Sequence, residues 1–276
     1  MGANAMKLIN INQLLGDVIG VVSENIRAGF SMSWPWLAIM SGVLIADGAY
    51  LMRYGSFAAS ADNIPWLSTS MVNNTVMVLA YSSIAVNWHR HLILKETATG
   101  WTRLRLDGLV WRYLAVGVGL FLAVDIGIIA FDFIAQVILG VSESLFRISV
   151  PFDHFLVFCV MLIIALAFGG VGARWSLTLV AIATKAPGFS MSEAYSATEG
   201  NHLRLTGYWL IIMLINAILF LVPFMLVIFA NHEQSVTMFV IFEPINIVIG
   251  WLSALISLTA LTTLFKFFYS GNLAET

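Results

Sequence analysis

The chain reads as an all-α fold, a single membrane domain over residues 1–276 in which six transmembrane helices form a polytopic bundle with amphipathic helices on its cytoplasmic surface. Three observations predict this. The hydrophobic fraction is 60% and only 10% of residues are charged, against about 45–50% and about 25% in a soluble domain. The apolar residues fall in blocks long enough to cross a bilayer. The basic residues then divide unevenly between the two sides that those blocks imply.

The elements follow in order. The opening, MGANAMKLININQLLGDVIG, has neither a continuous apolar h-region nor a small-residue cleavage site, so the first helix is expected to serve as an uncleaved insertion signal. Residues 9–30 are interrupted by Asn12, Gln13, Asp17, Glu24 and Arg27, while Leu14, Val18 and Val22 recur at helical spacing. That pattern predicts an amphipathic interfacial helix, suited to the membrane surface or to packing beneath the bundle. Span one is expected at 34–52, led by Trp34 and Trp36 at the interface. Span two, at 70–88, is the most polar, carrying Asn73, Asn74, Ser82, Ser83 and Asn87. It is kept because without it the basic segment that follows would share the outer side with Arg53. Its polar face is assigned to the bundle interior, where Asn and Ser bond across helices.

The segment Trp88–Arg112 holds Arg90, Lys95, Arg103, Arg105 and Arg112, five of the 13 Lys and Arg residues. It is placed on the cytoplasmic side, with an interfacial helix over 104–112. Span three follows at 113–138 and span four at 154–171. Residues 176–184 and 190–200 read as short interfacial helices, the second with Ser192 as N-cap. Span five is expected at 205–230 and span six at 244–265. This arrangement puts eleven basic residues inside and two, Arg53 and Arg147, outside. Both termini are then cytoplasmic. The interfacial segments 9–30, 101–112 and 190–204 each precede a hairpin, which suggests a threefold hairpin repeat. Asp17, Glu24-Asn25 and Arg27 before WLAIM (36–40) match Glu193, Glu199, Asn201 and Arg204 before WLIIM (209–213). The same interface physics acting three times accounts for the likeness equally well.

Net charge of −2 leaves no case for nucleic acid. A single cysteine, Cys159, excludes an intrachain disulfide framework or thiolate zinc site. Asp153, His154, His232, Glu233 and Glu243 lack metal-ligand spacing, and no cofactor or hydrolase motif is present. The candidate binding residues are Asp47, Asp125 and Asp132. Asp47 and Asp125 lie roughly 20 Å from the cytoplasmic face, with Asp132 two turns further out on the Asp125 face. Intramembrane carboxylates are costly and often functional. The candidate lipid- or partner-contacting residues are Trp88, His89, Arg90, Arg103, Arg105, Arg112, Arg174 and Arg204, all at the cytoplasmic interface.

Trp88-His-Arg followed by Leu-Ile-Leu-Lys-Glu96, the set Arg174, Leu177, Leu179 and Ala183, and then Ala194, Thr198, Gly200 and Asn201 together resemble a family of uncharacterised six-span inner-membrane proteins common in alphaproteobacteria. Ala181-Ile-Ala stands where that family often has proline. The motifs cover about a quarter of the chain. A looser similarity reaches the membrane domain that accompanies some glycerophosphodiester phosphodiesterases. The resemblance implies a fold and a location, the bacterial inner membrane, and no activity. The expectation is therefore a non-enzymatic, cofactor-free accessory or scaffold subunit contacting the lipid bilayer and a membrane-protein complex or a second copy of itself. The alternative expectation is a small transporter or proton/cation conductor using the intramembrane carboxylates.

Overall fold

The structure is a computed structural model; it describes residues 8–54, 64–123, 126, 170–230 and 236–269, with side chains over 8–46, 71–123, 126, 170–221 and 244–269. Every regular element among the described residues is helical. The helices are α1 (Ile11–Tyr54), α2 (Ile64–Leu94), α3 (108–123), α4 (170–184), α5 (Met191–Ala197), α6 (His202–Ala230) and α7 (Val236–Tyr269), with one 3-10 turn at Gly100–Leu104. Among the described residues four stretches are long and apolar enough to cross a membrane: Ile11–Ala46, Gly100–Ala123, His202–Leu221 and Pro244–Tyr269. The chain is thus a multi-pass helical membrane protein. These stretches overlap expected spans one, three, five and six. Residues 70–88 are helical within α2 but, with their Asn and Ser content, are not among the four. Most of span four lies outside the described residues.

α7 is the axis of the bundle, packing against α1, α2 and α6. At one end, Leu14, Val18 and Val22 of α1 meet Leu177 and Val180 of α4, Leu205 and Tyr208 of α6, and Leu261, Leu264 and Phe265 of α7. Further along, Met32, Trp36 and Met40 meet Ile84 and Trp88 of α2 and Ile247, Trp251 and Leu255 of α7. A third cluster joins Ala85 and Val86 of α2 to Val110 and Tyr113 of α3 and Ala183 of α4.

α1 departs from the expected division into an interfacial helix and a span. It is one continuous helix of 44 residues, about 66 Å long. The half read as lying in the membrane surface instead runs along α6 and α7. The reason is a single buried stripe, Leu14, Val18, Val22, Gly29, Met32, Trp36 and Met40, that keeps the helical period through both halves. Pro35 sits inside the helix and removes one intrahelical donor, which packing on both sides tolerates. At Gly29 a Cβ would come within 2.9 Å of Trp88 Cζ3 and 3.0 Å of Leu255 Cδ1, so glycine is what lets α1 meet α2 and α7 together.

Two shorter elements also differ. Residues 176–184 belong to α4, with Leu177, Val180 and Ala183 fully buried, so this segment is core and not surface. α4 ends with Lys185 at φ 55°, with bonds from Lys185 N to Ile182 O and from Ala186 N to Ala181 O, a Schellman termination. The N-cap of α5 is Ser190, not Ser192. Ser190 Oγ accepts from Glu193 N and Glu193 Oε2 accepts from Ser190 N at 2.6 Å, the reciprocal capping box that Ser-x-x-Glu encodes. The paired segments of the suggested repeat take different local structures. Asp17–Arg27 is uninterrupted helix, whereas Glu193–Arg204 crosses a turn with Gly200 at φ 74°.

Candidate functional site

The basic segment is built on the last turns of α2. Trp88 and His89 were expected to touch lipid headgroups or a partner. The structure buries both in the bundle, His89 at 0% exposure. Trp88 Nε1 donates to Thr259 Oγ1 at 2.9 Å, and the Thr259 hydroxyl donates to Leu255 O. His89 repeats the pattern one turn along α7. The Thr262 hydroxyl already donates to Leu258 O, so the 2.8 Å contact between His89 Nδ1 and Thr262 Oγ1 requires the proton on Nδ1. Nε2 then accepts from the Tyr113 hydroxyl at 3.2 Å. One histidine therefore ties α2 to both α7 and α3. The sequence signal was Thr259 and Thr262, three apart on one helix face, matching neighbouring polar tips on α2.

Arg90 points the other way. Its Nε donates to Glu96 Oε2 at 2.7 Å and its Nη2 donates to Glu96 Oε1, a two-pronged fork. Its Nη1 donates to Ala183 O at 2.9 Å, at the negative end of the α4 dipole. Hydrogen bonding from Arg90, helped by the charges of Arg105 and Lys185, holds the Glu96 carboxyl below its ordinary value. Lys266 caps α2 in the same way, donating from Nζ to Leu92 O at 2.8 Å. Arg204 Nη1 donates to Ile9 O, while Ile9 N donates to Asn201 Oδ1. Trp88, His89 and Arg90 are thus joints between helices, and Asn201 ties the start of α6 to the residue before α1. Arg174 is also buried, its guanidinium 4.6 Å from the centre of the Tyr195 ring, so it too is internal. Arg103 and Arg105 are half-buried, and Arg112 and Arg204 are exposed.

Two concavities lie at this end. A small polar one of about 240 Å³ is lined by Asn87, Arg90, Glu96, Arg105 and Thr97, Thr99 and Thr102. Its two arginines are paired, Arg90 with Glu96 and Arg105 with Asp107 at 3.2 Å. The larger, about 460 Å³, is an open cleft between α1, α2 and α7. Asp17 and Glu24 stand on the α1 wall, seven residues apart on one face. Lys266 and Thr262 stand on the α7 wall, and Leu14, Val21, Leu92 and Phe267 supply apolar surface. Neither carboxylate has an ion-pair partner among the described residues. This cleft was not expected from sequence, where Asp17 and Glu24 were read only as polar positions interrupting an amphipathic helix.

The carboxylates expected within the membrane fall largely outside the described residues. Asp47 lies on the helical backbone of α1, with its side chain outside the described residues, and Asp125 and Asp132 lie outside them altogether. Among the described residues no cluster of His, Cys, Asp and Glu has the arrangement of a metal site. No protein-family model, curated protein or solved structure matches the chain.

Proposed function

We propose that this multi-pass membrane protein is a non-enzymatic accessory or scaffold subunit. In this reading its basic end is a rigid platform that docks on anionic lipid headgroups and a membrane partner. One observation carries the reading, the contrast between the interior and the rim of that end. Trp88, His89, Arg90, Arg174 and Asn201 hold the helices to one another. Around them Trp101 is 87% exposed and Trp111 53%, with Arg112 exposed and Arg103 and Arg105 half-buried. Exposed indoles interleaved with arginines suit a headgroup interface. Family resemblance supports placing that end at the cytoplasmic face of a bacterial inner membrane.

Purification from the native membrane in a gentle detergent, with mass spectrometry of what is retained, tests the accessory role. Stoichiometric recovery of a membrane complex is expected, lost on combining Trp101→Ser with Arg112→Ser. Recovery of the bare chain from the unaltered protein would refute it.

A further inference from the structure

We propose that the cleft between α1, α2 and α7 binds a zwitterion carrying a primary ammonium and a phosphate, the headgroup chemistry of a phosphatidylethanolamine lipid. This site is separate from the Trp101–Arg112 rim and does not depend on the scaffold reading. The cleft holds about 460 Å³ and presents unlike charges on opposite walls. Asp17 and Glu24, about 10 Å apart along α1, offer acceptor oxygens only, as carboxylates do. Lys266 Nζ spends one bond on Leu92 O and keeps two further donors. A simple cation would meet Lys266, and a simple anion would meet the two carboxylates. A molecule with both charges satisfies both walls, so charge complementarity selects a zwitterion. Leu14 and Phe267 add apolar surface beside the charged groups, which suits an amphiphile. Gly16 and Gly20 keep the α1 wall low, since a Cβ at either meets nothing within 4 Å. The cleft also lies at the end of the bundle where the cationic residues gather, and the sequence predicts headgroups at that level.

The test uses the full chain purified in detergent and titrated with phosphatidylethanolamine, phosphatidylcholine and phosphatidylglycerol of matched acyl chains, read by native mass spectrometry. Phosphatidylethanolamine should be retained about five- to tenfold better than phosphatidylcholine, whose quaternary ammonium cannot donate to the carboxylates of a partly exposed site. Asp17→Asn with Glu24→Gln should abolish that preference. Gly20→Leu should also abolish it by filling the cleft while leaving both carboxylates, and it decides the matter should the double variant not fold, because leucine favours the helix more than glycine. Competition by free phosphoethanolamine assigns the site to a soluble ligand; its failure to compete assigns the site to lipid. Equal retention of phosphatidylethanolamine and phosphatidylcholine, or a preference that survives Gly20→Leu, overturns the proposal.

Discussion

Replacing His89 by phenylalanine isolates the joint between three helices. The substitution keeps an aromatic ring of similar volume in a site with 0% exposure, so cavity formation contributes little. Two interhelical bonds disappear, to Thr262 at 2.8 Å and Tyr113 at 3.2 Å. Within membrane proteins such bonds contribute about 0.6 to 2 kcal/mol each. The Tyr113 hydroxyl is left buried without its acceptor, a cost of about 1–3 kcal/mol that overlaps the loss of its bond. We expect a total of about 2–4 kcal/mol, which lowers the midpoint of thermal unfolding in detergent by roughly 5–15 °C. Tyr113→Phe removes the hydroxyl, so the double variant should recover about 1 kcal/mol relative to the sum of the singles. His91 is the control. It is two residues away and half-buried, and its bonds to Glu96 O and Asn25 Oδ1 lie where water can replace them, so His91→Phe should cost no more than about 1 kcal/mol. Equal melting of the His89 and His91 variants, or strict additivity with Tyr113→Phe, would refute the geometry argued here.

Three further outcomes are expected. Glu96 has its folded-state carboxyl below the ordinary value of 4.5, chiefly through Arg90; its contribution is present above about pH 4.5 and is lost as pH falls through the lower folded value. Glu96→Gln should therefore melt lower than the unaltered chain at neutral pH and converge with it in acid, and a constant gap would contradict this. Gly16→Ala should raise stability by about 0.8–1 kcal/mol, because its Cβ enters open space and alanine favours the helix. Gly29→Ala should instead lower stability by about 1–3 kcal/mol through crowding against Trp88 and Leu255, so a pair of melts with the same sign would sink the packing account. Asn201→Ala removes the acceptor for Ile9 N, and hydrogen exchange at Ile9 should quicken while exchange at Leu264 stays unchanged.

Composition and period carried much of the architecture. The apolar blocks predict a helical membrane protein, because only helices and closed barrels satisfy the backbone in lipid. Spans one, three, five and six overlap stretches that the structure makes long and apolar enough to cross. The capping box at Ser190 and Glu193 was also legible, since it is a local pattern, although Ser192 was read in its place.

What sequence order could not convey was which polar side chains face one another. Trp88 and His89 look like interface residues because tryptophan, histidine and arginine beside an apolar block suit headgroups. They are core residues because Thr259 and Thr262, more than 150 positions away, present hydroxyls at the same depth. The continuity of α1 was hidden for a related reason. Asp17 and Glu24 make its first half look like a surface helix, yet the stripe from Leu14 to Met40 is one face, and α7 packing against that stripe makes a single helix the arrangement that buries it. The cleft lies where the N-terminal part of α1, with glycines at 16 and 20, faces the C-terminal ends of α2 and α7. Pattern along the chain determined which segments are helical and apolar, since both follow from local period. Tertiary packing decided which charges are joints and which line a cleft, since a charge becomes either only when a distant helix supplies its partner or leaves it without one.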